Sequence, residues 1–309
     1  LSGSRYDLVS VDGEETGRKY IWIDRRKDMD EQKIIATNLA KNYVIKESAL
    51  FGRKKKIVSA VKDITLEIPK GQIIGVLGIN GAGKTTTIRM LASIIAPSSG
   101  TLTMNGVDAV KNHRWVKERI NVISGGERNL YWRLTAIENL KYFGSLYGLS
   151  GVKLKEKIAE LLKIVGLEEA EDIPVERYSK GMKQRLQIAR GLINDPEYIF
   201  LDEPTLGLDI VIAKEIRTMI KELAQEGEKG VLLTTHYISE AEELCDYIYV
   251  LDKGRMIAQG TKEELKDLFA SEPKMVLQEP GLEEILMKII YRSRGEDSEE
   301  NIFGNKSRN

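Results

Sequence analysis

The chain has 309 residues, and its 47 basic and 47 acidic side chains give a formal net charge of zero. This length suits one large domain or one domain with a subdomain, while the balanced charge and the hydrophobic fraction of 42% argue against a general nucleic-acid binder and a disordered chain. A single cysteine, Cys245, excludes an intrachain disulfide, favours a reducing compartment and is expected to be a small buried apolar residue.

The first third of the chain is predicted to be rich in β-structure. Residues 1–33 contain RYDLVSV and RKYIWID around the turn DGEETG, which is typical of a hairpin extension. From residue 34 onwards, IIATNLAKNY, AVKDITLEI, IIGVLG and TLTMNG predict short strands, and KTTTIRMLASII predicts a helix. The cationic run RKKK at residues 53–56 is expected to be a solvated loop, with contact to anionic lipid headgroups as the alternative.

The middle and the end of the chain have a different pattern. Residues 112–177 are mainly helical in character and predict an inserted helical subdomain. After them, the strands EYIFLDE, VLLTTH and YIYVLDKG alternate with helices, which predicts a parallel sheet covered on both faces. Residues 261–309 contain TKEELKDLF and GLEEILMKII and predict a C-terminal helical extension with a polar tail.

A glycine-rich motif lies between a predicted strand and a predicted helix. GINGAGKTT at residues 78–86 fits G-x-x-x-x-G-K-[ST], a loop whose backbone N–H groups surround phosphate oxygens. Lys84 is expected to reach the β- and γ-phosphates, and the Thr85 hydroxyl is expected to bind Mg²⁺. A glycine-rich turn that binds nothing is the weaker alternative. The predicted nucleotide-binding residues of this loop are Gly78, Asn80, Gly81, Ala82, Gly83, Lys84, Thr85 and Thr86.

Two adjacent acids end the strand EYIFLDE. Because side chains alternate along a strand, Asp202 and Glu203 are expected to point in different directions and to have different roles. Asp202 suits a Mg²⁺ ligand that acts directly or through water, and Glu203 suits a general base for water. His236 ends the strand VLLTTH at the carboxyl edge of the sheet, where ligands bind, and is the second candidate catalytic residue.

A second anion site is predicted at SKGMKQ, residues 179–184. Ser179 can cap a helix, and the free N–H groups of a helix N-terminus attract anions. The chain already has a phosphate loop upstream, which raises the question of what anion the second site binds.

Together, the order and spacing of these motifs resemble the nucleotide-binding subunit of an ABC transporter over about residues 34–260. TLGLD, with Asp209, is similar to that family's D-loop, His236 to its switch histidine and Tyr43 to its adenine-stacking aromatic residue. The resemblance implies a P-loop NTPase fold of ABC type, in which an α/β unit with a parallel core sheet carries an antiparallel β-subdomain and an inserted helical subdomain. It also implies two such units facing head to tail, so that the signature residues of one bind the ATP of the other. These residues are Ser179, Lys180, Gly181 and Met182.

The resemblance is strongest to the ATPase chains of drug and multidrug exporters. It implies ATP and Mg²⁺ as cofactors, a transmembrane permease chain as partner, and a second ATP-binding chain, identical or different. No nucleic-acid partner is expected. No apolar run approaches the ~20 residues that span a bilayer, and the beginning of the chain lacks the pattern of a signal peptide. The expected location is therefore cytoplasmic, at the inner face of the cell membrane and bound through the permease.

Two alternatives and one departure from the family pattern accompany this interpretation. A soluble ABC-type ATPase acting on ribosomes or DNA would carry two such units or a long coiled coil, and the sequence has one phosphate loop. A GTPase would carry the N-K-x-D guanine motif, which is absent. The family's Q-loop glutamine is missing from VISGGERNLYW, where Gly126 and Glu127 are the candidates for its position.

Overall fold

The computed structural model describes residues 6–11, 19–24, 32–49, 52–125, 129–225, 228–270, 289 and 292. The strands are β1 (Tyr6–Val11), β2 (Lys19–Asp24), β3 (Lys33–Ala49), β4 (Gly52–Pro69), β5 (Ile73–Leu77), β6 (Ser99–Met104), β7 (Val107–Asp108), β8 (Ile120–Ser124), β9 (Tyr198–Asp202), β10 (Gly230–Thr235), β11 (Tyr247–Asp252) and β12 (Arg255–Gly260). The helices are α1 (Lys84–Leu91), α2 (His113–Arg119), α3 (Ala136–Leu146), α4 (Gly151–Ile164), α5 (Lys180–Leu192), α6 (Ile210–Gln225), α7 (Ile238–Leu244) and α8 (Lys262–Ala270).

The β-rich first third forms an antiparallel pair and an antiparallel sheet. β1 and β2 pair antiparallel, which is the strand pairing that a hairpin requires. A separate four-stranded sheet has the order β4-β3-β6-β7. The expectation of a loop for RKKK is wrong, because residues 53–56 lie in β4 and pair with residues 45–48 of β3. Continuous pairing satisfies the backbone groups of this polar run, so the partner strand decides its conformation rather than the local charge.

A six-stranded sheet forms the centre, in the order β12-β11-β5-β10-β9-β8. Five of its strands are parallel, as predicted, and every residue of β5 and β10 is buried. β12 is an antiparallel edge strand that the sequence patterns did not reveal. β8 lies within the part predicted as mainly helical, and its short apolar run becomes a strand because it can pair with β9.

Each face of the central sheet is covered by a different layer. Ile199 and Leu201 of β9 face a core formed with the helices α3 to α6. Phe200, which points the other way, packs in a second core with the four-stranded sheet and α1. Because β10 pairs in parallel with both β5 and β9, the carboxyl ends of the three strands lie side by side at one edge of the sheet.

The helices between β8 and β9 form the predicted helical insertion. α3 begins with a capping box, in which the Thr135 hydroxyl accepts from the Glu138 N–H and the Glu138 carboxylate accepts from the Thr135 N–H. Leu140, Leu154 and Leu186 hold α3, α4 and α5 together in one core. Within the described ranges, no helix combines the length and the apolar character needed to cross a bilayer.

Candidate functional site

The loop from β5 to α1 depends on close backbone approach at two glycines. A Cβ at Gly78 would lie 2.4 Å from the Leu251 carbonyl oxygen. At Gly83, φ is +108°, and a Cβ would lie 2.8 Å from the Ala60 carbonyl oxygen. Only glycine satisfies these conditions without strain. The loop therefore curls tightly and delivers the first N–H groups of α1 to its concave side, the geometry that binds phosphate.

Lys84, the first residue of α1, is held inside this loop. Its side chain is only 5% exposed, and its ammonium donates to the carbonyl oxygens of Gly78 at 2.7 Å and Ile79 at 3.3 Å. The same nitrogen lies 3.4 Å from Glu203 Oε1. A buried ammonium held by two carbonyl oxygens of the loop is a preformed partner for an anion there.

Thr85 and Asp202 lie side by side although they are far apart in sequence. The Thr85 hydroxyl donates to Asp202 Oδ2 at 3.1 Å, and the Thr234 hydroxyl donates to Asp202 Oδ1 at 2.6 Å. A hydroxyl and a carboxylate are hard oxygen ligands that fit Mg²⁺, which usually takes few protein ligands and completes its shell with phosphate and water. Among the described residues, no group of three or more His, Cys, Asp or Glu side chains could hold a metal ion.

Glu203 and His236 meet because β9 and β10 are neighbouring parallel strands. Glu203 Oε1 lies 3.1 Å from His236 Nδ1. Asp202 and Glu203 thus contact different partners, as expected, although Glu203 follows the end of β9 and does not continue the alternation of that strand. The Glu203 backbone has a φ of +53°, a left-handed conformation that is uncommon for a residue other than glycine. At Gly125, a Cβ would lie 2.0 Å from the Glu203 carbonyl oxygen, so that position requires glycine.

A cleft of about 520 Å³ lies in front of the phosphate loop. Tyr43 is not among its lining residues, although its register partner on β4, Val58, is one of them. The Tyr43 ring is 36% exposed, and the Lys41 ammonium lies 5.6 Å from its centroid. The lining residues are Val58, Ser59, Ala60, Lys62, Asn80, Gly81, Gly83, Lys84, Thr85, Thr86, Glu203 and Lys253.

The signature residues occupy the N-terminus of α5. The Ser179 hydroxyl accepts from the Met182 N–H at 3.2 Å, so Ser179 caps the helix as expected. A Cβ at Gly181 would lie 2.7 Å from the Ile212 side chain, and glycine therefore allows α5 and α6 to pack closely. Ser179 and Met182 line another cleft, of about 550 Å³, which shares no lining residue with the cleft at the phosphate loop. The fold of one chain does not bring the two predicted anion sites together.

Asp209 is the N-terminal cap of α6. Its Oδ1 accepts from the Ile212 N–H at 3.0 Å, and its carbonyl oxygen accepts from the Ala213 N–H at 2.9 Å. The segment with the predicted D-loop is thereby fixed at the start of this helix. The Q-loop candidates Gly126 and Glu127 lie outside the described residues.

Thr234, Gly125 and Lys253 are three of the site residues that were not identified from the sequence. Thr234 holds Asp202, Gly125 makes room for Glu203, and Lys253 lines the cleft. The two adjacent threonines in the strand VLLTTH could have indicated a polar role for Thr234, because the residues before them are apolar. The other two have no local signal, because their role depends on distant partners.

The lone thiol, Cys245, lies apart from this site. Burial raises the pKa of the Cys245 thiol well above its ordinary value, and its sulfur packs against Gly75 of β5. A thiol that stays protonated is a poor nucleophile. Cys245 as a residue is only partly buried and packs against the core, so the expected apolar packing role fits and the expected full burial does not.

Comparison with known proteins agrees with this geometry. The family model described as "ABC transporter" matches residues 61–206. The chain is 46% identical to the ABC transporter ATP-binding protein NatA of Bacillus subtilis over 225 residues, which are 73% of this chain and 91% of NatA. It is 43% identical to the Nod factor export ATP-binding protein I of Cupriavidus metallidurans, over 67% of this chain and 68% of that protein.

Two further comparisons add a drug-resistance relative and a solved structure. The chain is 42% identical to the daunorubicin/doxorubicin resistance ATP-binding protein DrrA of Streptomyces peucetius, over 69% of this chain and 64% of DrrA. A dimeric ATP-binding cassette in a post-hydrolysis state, bound to ADP and phosphate, superimposes with a TM-score of 0.64 at 25% identity, over 74% of this chain and 98% of that one. The chain therefore belongs to the ABC transporter family, in which it is an ATP-binding chain and an ATPase.

Proposed function

We propose that this chain is the ATP-hydrolysing subunit of a membrane exporter and that it works as one half of a head-to-tail pair of ATP-binding chains. The chemistry is supported by one observation above all. Lys84, Glu203 and His236 converge at the edge of the cleft, and Thr85 and Asp202 lie next to them. A phosphate partner, a base, an orienting imidazole and a pair of metal ligands are the parts that phosphoryl transfer to water requires.

Hydrolysis follows from the placement of these groups. The N–H groups of the phosphate loop and the Lys84 ammonium hold the β- and γ-phosphates of ATP. The Glu203 carboxylate accepts a proton from a water molecule as its oxygen attacks the γ-phosphorus, and ADP leaves. His236, in contact with Glu203, orients the water or the γ-phosphate. Mg²⁺ held by Thr85 and Asp202 would neutralise the charge that develops on the phosphate oxygens.

Substitution of the base tests this mechanism. Glu203→Gln keeps the size of the side chain and removes its ability to take a proton. It should retain ATP binding and lose most phosphate release, measured as turnover against ATP concentration. Lys84→Ala is the matched comparison, because it removes a phosphate partner and should weaken ATP binding itself.

The pairing of two chains is supported by the separation of the two predicted anion sites. Ser179 and Gly181 lie in a different region from the phosphate loop of their own chain, so they would reach only the ATP of a partner. The dimeric structural neighbour, which is in a post-hydrolysis state, is consistent with such a pair. ATP would then be buried between the chains and would favour their association.

Light scattering on Glu203→Gln tests this arrangement, because ATP is not consumed. Dimers should form with ATP and Mg²⁺ and dissociate with ADP. Lys84→Ala should remain monomeric under both conditions. A Glu203→Gln chain that stays monomeric at every ATP concentration would contradict a homodimer and would leave a different ATP-binding chain as the partner to test.

The permease partner is supported by the names of the relatives and by an exposed aromatic surface. Two of the similar proteins are named for export and for drug resistance. Tyr131, Trp132 and Tyr142 are each more than 40% exposed, and the Tyr131 and Tyr142 rings lie 4.8 Å apart. Exposed clusters of aromatic side chains are typical of protein interfaces. We propose that this surface binds the membrane chain at the cytoplasmic side.

Co-purification from detergent tests this partner. The parent chain should purify with a polytopic membrane chain, and Tyr142→Ala should lose that chain while keeping basal ATPase activity. Leu268→Asp, at an exposed apolar position on α8 beside the opposite edge of the central sheet, is the control and should retain the partner. Purification with ribosomes or DNA instead would favour the soluble alternative.

A further inference from the structure

A buried acid lies behind the proposed catalytic pair and does not line its cleft. Glu240, in α7, is 2% exposed. Its Oε1 accepts a hydrogen bond from the Thr205 hydroxyl at 2.8 Å. Its Oε2 is fully buried and has no hydrogen-bond partner of good geometry among the described residues. A half-satisfied buried carboxyl is costly, which indicates a role other than filling space.

The environment of Glu240 opposes its ionisation. Burial raises the pKa of this carboxyl above its ordinary value, although the hydroxyls of Thr235 and Thr205 and the positive charges of Arg217 and His236 act in the opposite direction. A hydrogen bond to Thr205 does not require the negative charge. The neutral and charged forms both offer Oε1 as an acceptor.

Thr205 belongs to the segment that carries the proposed base. It lies two residues after Glu203 and is itself buried. The Leu206 N–H donates to the Glu203 carbonyl at 3.2 Å, and the Leu208 N–H donates to the Thr205 carbonyl at 3.1 Å. Two overlapping turns therefore follow β9, the first beginning at Glu203 and the second at Thr205.

Glu240 itself belongs to the segment that carries the imidazole. It lies four residues after His236, in the first turn of α7. The Tyr237 N–H donates to the Thr235 hydroxyl at 2.9 Å, which fixes the exit from β10. The Thr205–Glu240 bond is thus a direct link between the segment after Glu203 and the helix after His236.

We infer that Glu240 is a positioning residue for ATP hydrolysis, which acts through Thr205 to keep Glu203 and His236 at hydrogen-bond distance. The left-handed backbone of Glu203 supports this, because such a conformation persists only where neighbouring contacts impose it. The inference rests on the proposed roles of Glu203 and His236. Since Glu240 does not line the cleft, its loss should change turnover and leave ATP affinity alone.

Four substitutions test the link by steady-state ATPase kinetics. Glu240→Ala and Thr205→Val should each lower kcat about tenfold with KM for ATP unchanged, since small displacements of catalytic groups reduce rates by up to about a hundredfold. Glu240→Gln and Thr205→Ser keep the acceptor and the donor, and both should restore kcat to within about twofold of the parent. The double variant Glu240→Ala/Thr205→Val should be no slower than either single variant, because both remove the same bond.

The controls separate positioning from general loss of structure. Glu242 lies on the same helix, but its carboxylate faces Lys262 and Lys266 of α8 at 3.5 and 3.6 Å, so Glu242→Ala should keep the parent kcat. Thr205→Val keeps the side-chain shape and tests the same bond if Glu240→Ala does not fold.

Three results would overturn the inference: an unchanged kcat in Thr205→Val, additive losses in the double variant, or failure of Glu240→Gln to restore turnover. If Glu203→Gln keeps the parent kcat, the proposed base is wrong and this inference falls with it. If Glu203→Gln is inactive while Thr205→Val is fully active, only the positioning role is wrong.

Discussion

The Glu203→Gln substitution probes the proposed base most directly. In the parent, Glu203 Oε1 lies 3.1 Å from His236 Nδ1 and 3.4 Å from Lys84 Nζ. Glutamine can occupy the same space and keep one carbonyl oxygen, but it cannot accept a proton from water. A lost general base slows a reaction by roughly 10²–10⁴, so kcat should fall by that factor. At about 1.36 kcal/mol for each factor of ten, the barrier rises by about 2.7–5.4 kcal/mol.

The charge around Lys84 predicts what the same substitution does to ATP binding. The parent carboxylate already occupies part of the space near this buried ammonium and repels an incoming γ-phosphate. Removing the carboxylate charge should leave ATP affinity equal to that of the parent or higher. The variant is therefore expected to separate kcat from affinity, whereas Lys84→Ala should weaken affinity itself.

Two assays measure the effects on kcat and on ATP affinity independently. They are phosphate release at saturating ATP and equilibrium binding of ATP to each variant. Glu203→Gln should bind ATP like the parent and hydrolyse it slowly. Turnover within a few-fold of the parent would show that Glu203 is not the base. A parallel loss of ATP affinity would show that its main role is to hold the phosphate loop.

Three further predictions concern stability and the loop before the helical insertion. Gly191→Ala would place a Cβ 2.3 Å from the buried side chain of Ile123. The substitution should therefore lower the free energy of unfolding by about 1–3 kcal/mol, measured by urea titration, and an unchanged midpoint would refute the close packing. Tyr198→Phe removes the hydroxyl that donates to Asn105 Oδ1 at 2.7 Å. The free energy of unfolding should fall by about 1–3 kcal/mol in the same assay, and no loss would mean that Asn105 finds another partner. Glu127→Ala should lower ATPase activity and raise the Mg²⁺ requirement while Glu127→Gln keeps partial activity, and parent-like rates for Glu127→Ala at every Mg²⁺ concentration would exclude a catalytic role.

The phosphate-binding part of this protein could be predicted from the sequence because its residues follow one another in a short segment. GINGAGKTT is one continuous segment from a loop into the start of α1, and its glycines, lysine and threonine are proposed to act on the same ligand. The acid pair at the end of EYIFL and the histidine at the end of VLLTT were readable for a similar reason, because a buried parallel strand delivers its last residues to one edge of the sheet. The apolar runs themselves indicated which residues are buried, as β5 and β10 illustrate.

Tertiary structure alone decided which of these groups meet. Glu203 and His236 are 33 residues apart and meet because β9 and β10 are neighbours in the central sheet. Thr85 and Asp202 are 117 residues apart and meet because β10 pairs with both β9 and β5, the strand that leads into α1. Strand order comes from packing and pairing between distant segments, which no local pattern encodes. The same reason explains why RKKK and residues 120–124 are strands against expectation, since a strand depends on the partner beside it. It also explains why the contact of Glu240 with Thr205 had no signal in the sequence: two ordinary residues 35 positions apart acquire a role only when the folded chain buries them together.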